Sequence, residues 1–325
     1  MTAGLEAPGL DDVYAARDRI AGHARRTPLV RFDAFSDEPE IWLKLENLQP
    51  IGSFKLRGAL NRMRSLPTSE LASGAYTASA GNMAQGVAYA ARLLGVPASV
   101  VVPDTAPATK LEAIERLGAT VHRVPYAEWW DAMRNRGRPG MPGVFVHPFA
   151  DRDVMAGNGT IALEILEDLP DVDTILVPWG GGGLTCGIAA AAKAITSSIR
   201  VFACEVEGAA PLTASIAAGA PVDIENRKTF VDGIGGRGVL PEMWPLARAL
   251  VDGALTASVA DVASAVRLLA QRTRVVAEGA GATPLAIARA GLHGVTPRPM
   301  RVACIVSGGN MDPSVLASIL AGTTP

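Results

Sequence analysis

Cysteine is scarce in this chain. Cys186, Cys204 and Cys304 stand far apart in apolar surroundings, which excludes a disulfide scaffold and the paired spacing of a zinc site. They read as buried thiols of a reducing compartment. Histidine offers no more: His23, His122, His147 and His293 lack ligand spacing, and no nucleophile-elbow pattern accompanies them. They read as surface or packing residues. Positive charge is not in excess, with 30 Lys and Arg against 32 Asp and Glu. Such a balance gives no net field to draw nucleic acid or anionic lipid and points to small-molecule chemistry. The first ten residues lack a basic start followed by an apolar run, so no secretory signal is apparent and the cytoplasm is the expected compartment. The most apolar window, residues 175–195, is broken by Pro178 and four consecutive glycines. It reads as a strand, a loop and a buried helix, not as a membrane span.

What the chain does contain is an alternation of short apolar strands with Ala-rich helical stretches, the pattern of an α/β protein. Residues 76–79, 98–102 and 119–124 read as strands, and 83–94 and 108–117 as the intervening helices, the second ended by Gly118. This is a β-α-β-α-β unit with parallel strands. A second series begins with a strand at 173–179, continues with a helix at 184–195 and a strand at 200–204, and closes with a strand at 301–306. The Pro- and Gly-rich residues 136–148 read as a linker between the two. A small domain set within a larger one, with a ligand cleft between them, follows from the rule that open α/β sheets bind ligands at strand carboxyl ends.

Four segments can carry chemistry. Residues 44–59, KLENLQPIGSFKLRGA, end a strand and start a helix, with Ser53 as a plausible N-cap and Lys55 in the first turn. The positive field of a helix N-terminus favours the neutral amine there, and a neutral amine attacks an aldehyde. A lysine that only snorkels to solvent is the alternative. Gly180, Gly181, Gly182 and Gly183 follow a strand and open a helix at Leu184. Backbone without side chains can wrap an anion at such a helix start. A dinucleotide site competes, since Glu205 lies at the distance of a ribose-holding acid, but the third fingerprint position is Cys186 and not glycine. Tight packing without a ligand remains a further alternative. Ser79, Ala80, Gly81, Asn82 and Met83 turn a strand into a helix, where backbone donors could hold a carboxylate and Asn82 could be only an N-cap. Ser307, at the end of the last strand, could face a ligand ring or sit in an ordinary turn.

Together these segments resemble the threonine and serine dehydratase family of fold-type II pyridoxal-phosphate enzymes, with an architecture like that of tryptophan synthase β. The likeness runs through GSFKLRGA at 52–59, SAGN at 79–82, the tetraglycine at 180–183, HPF at 147–149, AGNGT at 156–160, DGI at 232–234, EGA at 278–280 and SGGN at 307–310. It implies two open α/β domains with pyridoxal 5'-phosphate in the cleft. Residues 1–66 and 152–325 would form the large cofactor-binding domain and 67–151 the small one. Lys55 would carry the cofactor as an imine, Phe54 would pack beside it, and Asn82 would bond its phenolic oxygen. Gly180, Gly181, Gly182, Gly183 and Leu184 would hold the phosphate and Ser307 the pyridine nitrogen. Ser79, Ala80, Gly81, Asn82 and Met83 would grip the substrate carboxylate. The implied reaction is β-elimination from a 3-hydroxy-L-amino acid, giving a 2-oxo acid and ammonia. A serine at the ring nitrogen would not keep the ring fully protonated, which suits prompt elimination. A homodimer or higher homo-oligomer is implied as well.

Departures from the family pattern bear on substrate and metal. Relatives commonly carry histidine where Met83 stands, so substrate preference is open. Some bind a divalent cation through a glutamate matching Glu205 and an acid six residues later, where this chain has Pro211. Racemases of the family place a serine at the position of Ala80, and β-replacement enzymes of the cysteine synthase type usually have threonine at that of Met83. Both remain alternatives, as does a non-catalytic ligand-binding descendant.

Overall fold

The computed structural model describes residues 4–32, 39–292 and 294–325; His293 therefore lies outside the described residues. Among the described residues ten strands form two sheets: β1 Leu29–Arg31, β2 Glu40–Lys44, β3 Ala75–Ala78, β4 Ala98–Pro103, β5 Thr120–Val124, β6 Val144–Phe145, β7 Thr174–Pro178, β8 Arg200–Val206, β9 Gly253–Ala257 and β10 Arg301–Ile305. The helices in chain order are α1 Leu10–Ile20, α2 Lys55–Arg64, α3 Asn82–Leu94, α4 Ala108–Arg116, α5 Tyr126–Arg134, α6 Arg152–Asp168, α7 Gly183–Ile195, α8 Pro211–Ala218, α9 Trp244–Leu250, α10 Val259–Leu268, α11 Gly279–Arg289 and α12 Pro313–Leu320. No helix among the described residues is long and apolar enough to cross a membrane, and the expected 175–195 window resolves into β7, the glycine loop and α7.

The smaller sheet has the order β5-β4-β3-β6 and is parallel throughout. Successive side chains on a strand point to opposite faces, so both faces must be apolar when helices cover both. Val100 and Val102 accordingly pack on one side with α2 and α3, and Val101 on the other with Ala132 and Met133 of α5. The linker expected at 136–148 is in part a strand. Val144 and Phe145 form β6 and pair with β3, a two-residue element too short to show periodicity between Gly143 and Pro148. The larger sheet runs β1-β2-β10-β7-β8-β9, with only β1 antiparallel. On β10, Val302 and Cys304 face one core and Ala303 and Ile305 the other.

Each sheet reverses its strand order once. β3 lies between β4 and β6, and β7 lies between β8 and β10. Loops leaving the carboxyl ends of strands beside such a switch diverge and leave a crevice. The two loops are residues 79–82 after β3 and 179–182 after β7.

The helices that carry the site pack backbone to backbone. A methyl at Gly157 of α6 would lie 2.5 Å from the Arg57 carbonyl of α2, and one at Gly187 of α7 would run into the Met155 carbonyl of α6. Beneath this contact lies a buried ion cluster. Arg57 donates from Nε and Nη2 to Glu46, both at 2.8 Å, and from Nη1 and Nη2 to Glu164 at 2.7 and 2.9 Å. Lys44 Nζ donates to Glu164 Oε2 and to the Thr27 carbonyl, each at 2.6 Å. Burial pulls the Arg57 guanidinium down, yet Glu46 and Glu164 outweigh it and hold it above its ordinary range. Burial likewise pushes Glu46 up, and Arg57 and Lys44 more than reverse the shift. Removing one partner from such a cluster leaves uncompensated charge in a dry site. Arg57→Met is therefore expected to cost about 3–5 kcal/mol of unfolding free energy, read from denaturant midpoints. A loss below about 1 kcal/mol, the range of exposed pairs, would show that solvent reaches the two carboxylates.

Candidate active site

Lys55 is the first residue of α2. The expected N-cap from Ser53 does not form. Ser53 bridges to Gly308 in antiparallel fashion, its hydroxyl is buried without a partner, and Phe54 occupies the cap position in helical conformation. The bridge fixes the start of α2 to the end of β10: Phe54 N–H donates to the Ser307 carbonyl at 3.0 Å. Lys55 Nζ donates to the Pro148 carbonyl at 2.7 Å and lies 5.0 Å from the Phe54 ring centroid. Burial pushes its pKa down to about 8, against the pull of Glu278. Desolvation, and not only the helix field anticipated from sequence, thus favours the neutral amine.

The glycine loop lies next to that amine through Phe149. A methyl on Gly181 would strike the Phe149 ring, and one on Gly183 would lie 2.5 Å from the Phe149 carbonyl. Gly182 has φ +94°, a region costly for residues with a Cβ. Packing and backbone conformation therefore require glycine here whatever binds. The N–H groups of Gly180, Gly181, Gly182, Gly183, Leu184 and Thr185 nevertheless donate to no acceptor among the described residues, which leaves a concave row of donors at the start of α7. The Leu184 side chain itself is buried in the core below.

A second row of donors follows β3. Ser79 Oγ accepts from Gly81 N–H at 3.2 Å, while the N–H groups of Ala80, Asn82 and Met83 have no acceptor among the described residues. Asn82 is the first residue of α3 and not its cap, which is Gly81. Its Nδ2 donates to Glu278 Oε1 at 2.8 Å and its Oδ1 accepts from Asn310 Nδ2 at 2.7 Å, leaving one amide hydrogen free. The Met83 side chain points away from the cleft into the small-sheet core, so only its backbone can face a ligand. Ser307 is 3% exposed, and its hydroxyl has no hydrogen-bond partner among the described residues.

Two further polar residues of the cleft, Glu278 and Asn310, belong to the family-like segments 278–280 and 307–310, which assign them no chemical role. Glu278 precedes α11, and burial, with Asp232 nearby, pushes its carboxyl up to about 7 against Asn82, Lys110 and Lys55. Asn310 joins Asn82 to the Ile51 carbonyl. The signal for Glu278 was a lone acid in an otherwise small and apolar run, since such an acid needs a dedicated partner when buried. His147 is neutral, pushed down to about 3 by burial together with Arg136 and Lys55, and its Nδ1 accepts from Phe149 and Ala150 N–H. It shapes the turn that holds Pro148 and Phe149.

Glu205 stands apart from this group. Oε1 accepts from Leu212 N–H, and Oε2 from Thr213 N–H and Oγ1, at 2.7 to 2.8 Å, so the carboxylate caps the start of α8. These are donors, not the oxygen ligands a divalent cation needs. Among the described residues no cluster of three or more His, Cys, Asp or Glu side chains is placed to hold a metal.

Residues 20–308 match the family model described as "Pyridoxal-phosphate dependent enzyme". The L-threonine ammonia-lyase of Geobacter sulfurreducens is 40% identical over 95% of this chain and 77% of its own length. The catabolic L-threonine dehydratase of Escherichia coli K12 is 37% identical over 95% of each chain. Among solved structures, maize serine racemase superposes with a TM-score of 0.90 at 33% identity, covering 97% of this chain and 98% of that one. With a buried lysine beside two sets of free backbone donors on a two-sheet α/β frame, the chain belongs to the fold-type II pyridoxal-phosphate dependent enzymes.

Proposed function

We propose that this enzyme converts a 3-hydroxy-L-amino acid of the threonine or serine type into a 2-oxo acid and ammonia. The observation that carries the reading is the meeting, in one cleft, of the Lys55 amine, the donor row at Gly180 to Leu184 and the free N–H groups of Ala80, Asn82 and Met83. The threonine-acting relatives support it. The residues suit pyridoxal 5'-phosphate. Gly180, Gly181, Gly182, Gly183 and Leu184 would take the phosphate, the free Ser307 hydroxyl the ring nitrogen, the spare Asn82 hydrogen the phenolic oxygen, and Phe54 would pack alongside. When bound, the cofactor supplies an electron sink that weakens the Cα–H bond of an attached amino acid. Within Ser79–Met83, the free N–H groups of Ala80, Asn82 and Met83 would orient the substrate carboxylate, while Ser79 N–H, held by the Val101 carbonyl, and Gly81 N–H, held by Ser79 Oγ, would fix the shape of the loop. Lys55 Nζ would hold the cofactor and, as the neutral amine that burial favours, would take the α-proton of the substrate. The β-hydroxyl would leave as water with that proton, and one water would be consumed in freeing ammonia, so that amino acid becomes 2-oxo acid and ammonia with no net change in water. The division into residues 1–66 with 152–325 and residues 67–151, assembly as a homo-oligomer and a cytoplasmic setting belong to the same proposal; a divalent cation does not, given the donors around Glu205.

Three measurements test this. Lys55→Ala should abolish 2-oxo acid release from L-threonine and L-serine and remove the visible band of the bound cofactor, while circular dichroism stays that of the wild type. Retained ammonia release would sink the assignment of Lys55. In the apoprotein, capture of pyridoxal 5'-phosphate should accelerate with pH through about 8 and level off above it, because burial lowers Lys55 to that value and only the neutral amine attacks. A rate still climbing toward pH 10, as for an ordinary lysine, would contradict the buried setting.

The third measurement separates elimination from racemisation. Inversion requires an acid on the face opposite Lys55; at the position where racemases of the family carry a serine this chain has Ala80, which offers only a methyl, and Ser79 Oγ is turned onto its own loop. L-serine should therefore yield pyruvate with negligible D-serine on chiral chromatography, and Ala80→Ser should introduce some. D-serine accumulating as fast as pyruvate in the wild type would favour the racemase reading.

A further inference from the structure

The glycine loop owes part of its shape to a helix that precedes it in sequence. Asn158 of α6 is 1% exposed, and its Nδ2 donates to the Gly183 carbonyl at 3.2 Å. Its Oδ1 is buried and has no hydrogen-bond partner among the described residues. On the far side the same side chain abuts α2, where a methyl on Gly58 would lie 2.9 Å from Oδ1. The amide is thus wedged between the helix that begins with Lys55 and the helix that begins with Gly183.

That position is expensive for a polar group. A buried amide oxygen without a donor loses its hydration and gains nothing in exchange, whereas an apolar side chain of like size would lose nothing. The helices on either side are in backbone contact, through Gly157 on Arg57 and Gly159 on Gly187, so Asn158 has no room to turn toward other partners. Something other than the stability of the packed helices accounts for an amide here.

The peptide geometry supplies a reason. In a trans peptide the carbonyl and the following N–H point in opposite directions within one plane. Holding the Gly183 oxygen toward α6 therefore directs the Leu184 N–H the opposite way, into the row of free donors. We propose that Asn158 is a positioning residue for the anion-binding loop, fixing the Gly183–Leu184 peptide plane so that its N–H meets the cofactor phosphate. This rests on the assignment of that loop to the phosphate, and it couples the loop mechanically to α2 and hence to Lys55.

The test compares Asn158→Leu with the wild type as apoproteins, using pyridoxal 5'-phosphate and, as a probe without the phosphate, pyridoxal. Affinity for pyridoxal 5'-phosphate should fall about tenfold, the scale of one hydrogen bond to a charged group. Affinity for pyridoxal should not change, and the melting temperature of the apoprotein should stay level or rise. The phosphorus chemical shift of the bound phosphate should move as well. Equal losses for both ligands, or none for either, would overturn the proposal, the first by showing a general structural role. If Asn158→Leu does not fold, Asn158→Ala, which removes the donor without adding volume or charge, carries the same comparison. A wild-type apoprotein that prefers pyridoxal 5'-phosphate no more than pyridoxal would instead overturn the assignment of the loop itself.

Discussion

The close crossing of α6 with α2 on one side and α7 on the other is the constraint from which the rest of the site follows. No side chain fits between these helices where Gly157 meets Arg57 and Gly187 meets Met155, so the distance between their axes is set by backbone contact and not by the rotamers of intervening residues. Lys55 opens α2, and the glycine loop opens α7. The Lys55 amine and the free donors of the glycine loop are thus spaced by close packing of backbone on backbone, which yields little to strain. The Arg57 cluster supplements this with direction. Four fixed hydrogen bonds from one guanidinium to carboxylates on the turn at Glu46 and on α6 leave α2 no freedom to rotate about its axis. Buried ion clusters contribute little to net stability but are costly to mispair, which suits a place where orientation matters more than energy.

Much of this frame could be read in the sequence, and what could not be read has identifiable causes. The alternation of apolar segments gave β3, β4, β5, β7, β8 and β10 to within a residue or two, because each is a short apolar run bounded by turn residues. β6 escaped, since two residues show no period. Ser53 before a helical pattern suggested a cap, but a sequence pattern cannot reveal that the residue is drawn into a bridge with Gly308, 255 positions away. Met83 sits within a segment whose backbone faces the cleft, yet helical geometry turns its side chain into the core. Glu205 matches the position of a family cation ligand, and only its surroundings, Leu212 and Thr213 donating to both oxygens, identify it as a helix cap. Local pattern specifies which backbone segments reach the cleft; which side chains follow depends on contacts between distant parts of the chain.

Glu278 and Lys55 illustrate how such distant contacts alter chemistry. Each is penalised for its charge by burial, Lys55 downward to about 8 and Glu278 upward to about 7, and each relieves part of the other's penalty. Coulombic coupling is reciprocal. Neutralising Lys55 removes a cation that holds Glu278 down, so the carboxyl rises further and takes up a proton more readily. Neutralising Glu278 removes an anion that holds Lys55 up, so the amine loses its proton more readily. The pair therefore favours being charged together or neutral together, and exchange between those two states moves one proton within the cleft without changing its total charge and without any change in pH. Asn82, which donates to Glu278 and accepts from Asn310, feels the difference directly, because a protonated carboxyl is a weaker acceptor than a carboxylate. The charge on the lysine at one wall of the cleft is in this way linked to the hydrogen bonding of the amide at the other, through a carboxylate that touches only one of them.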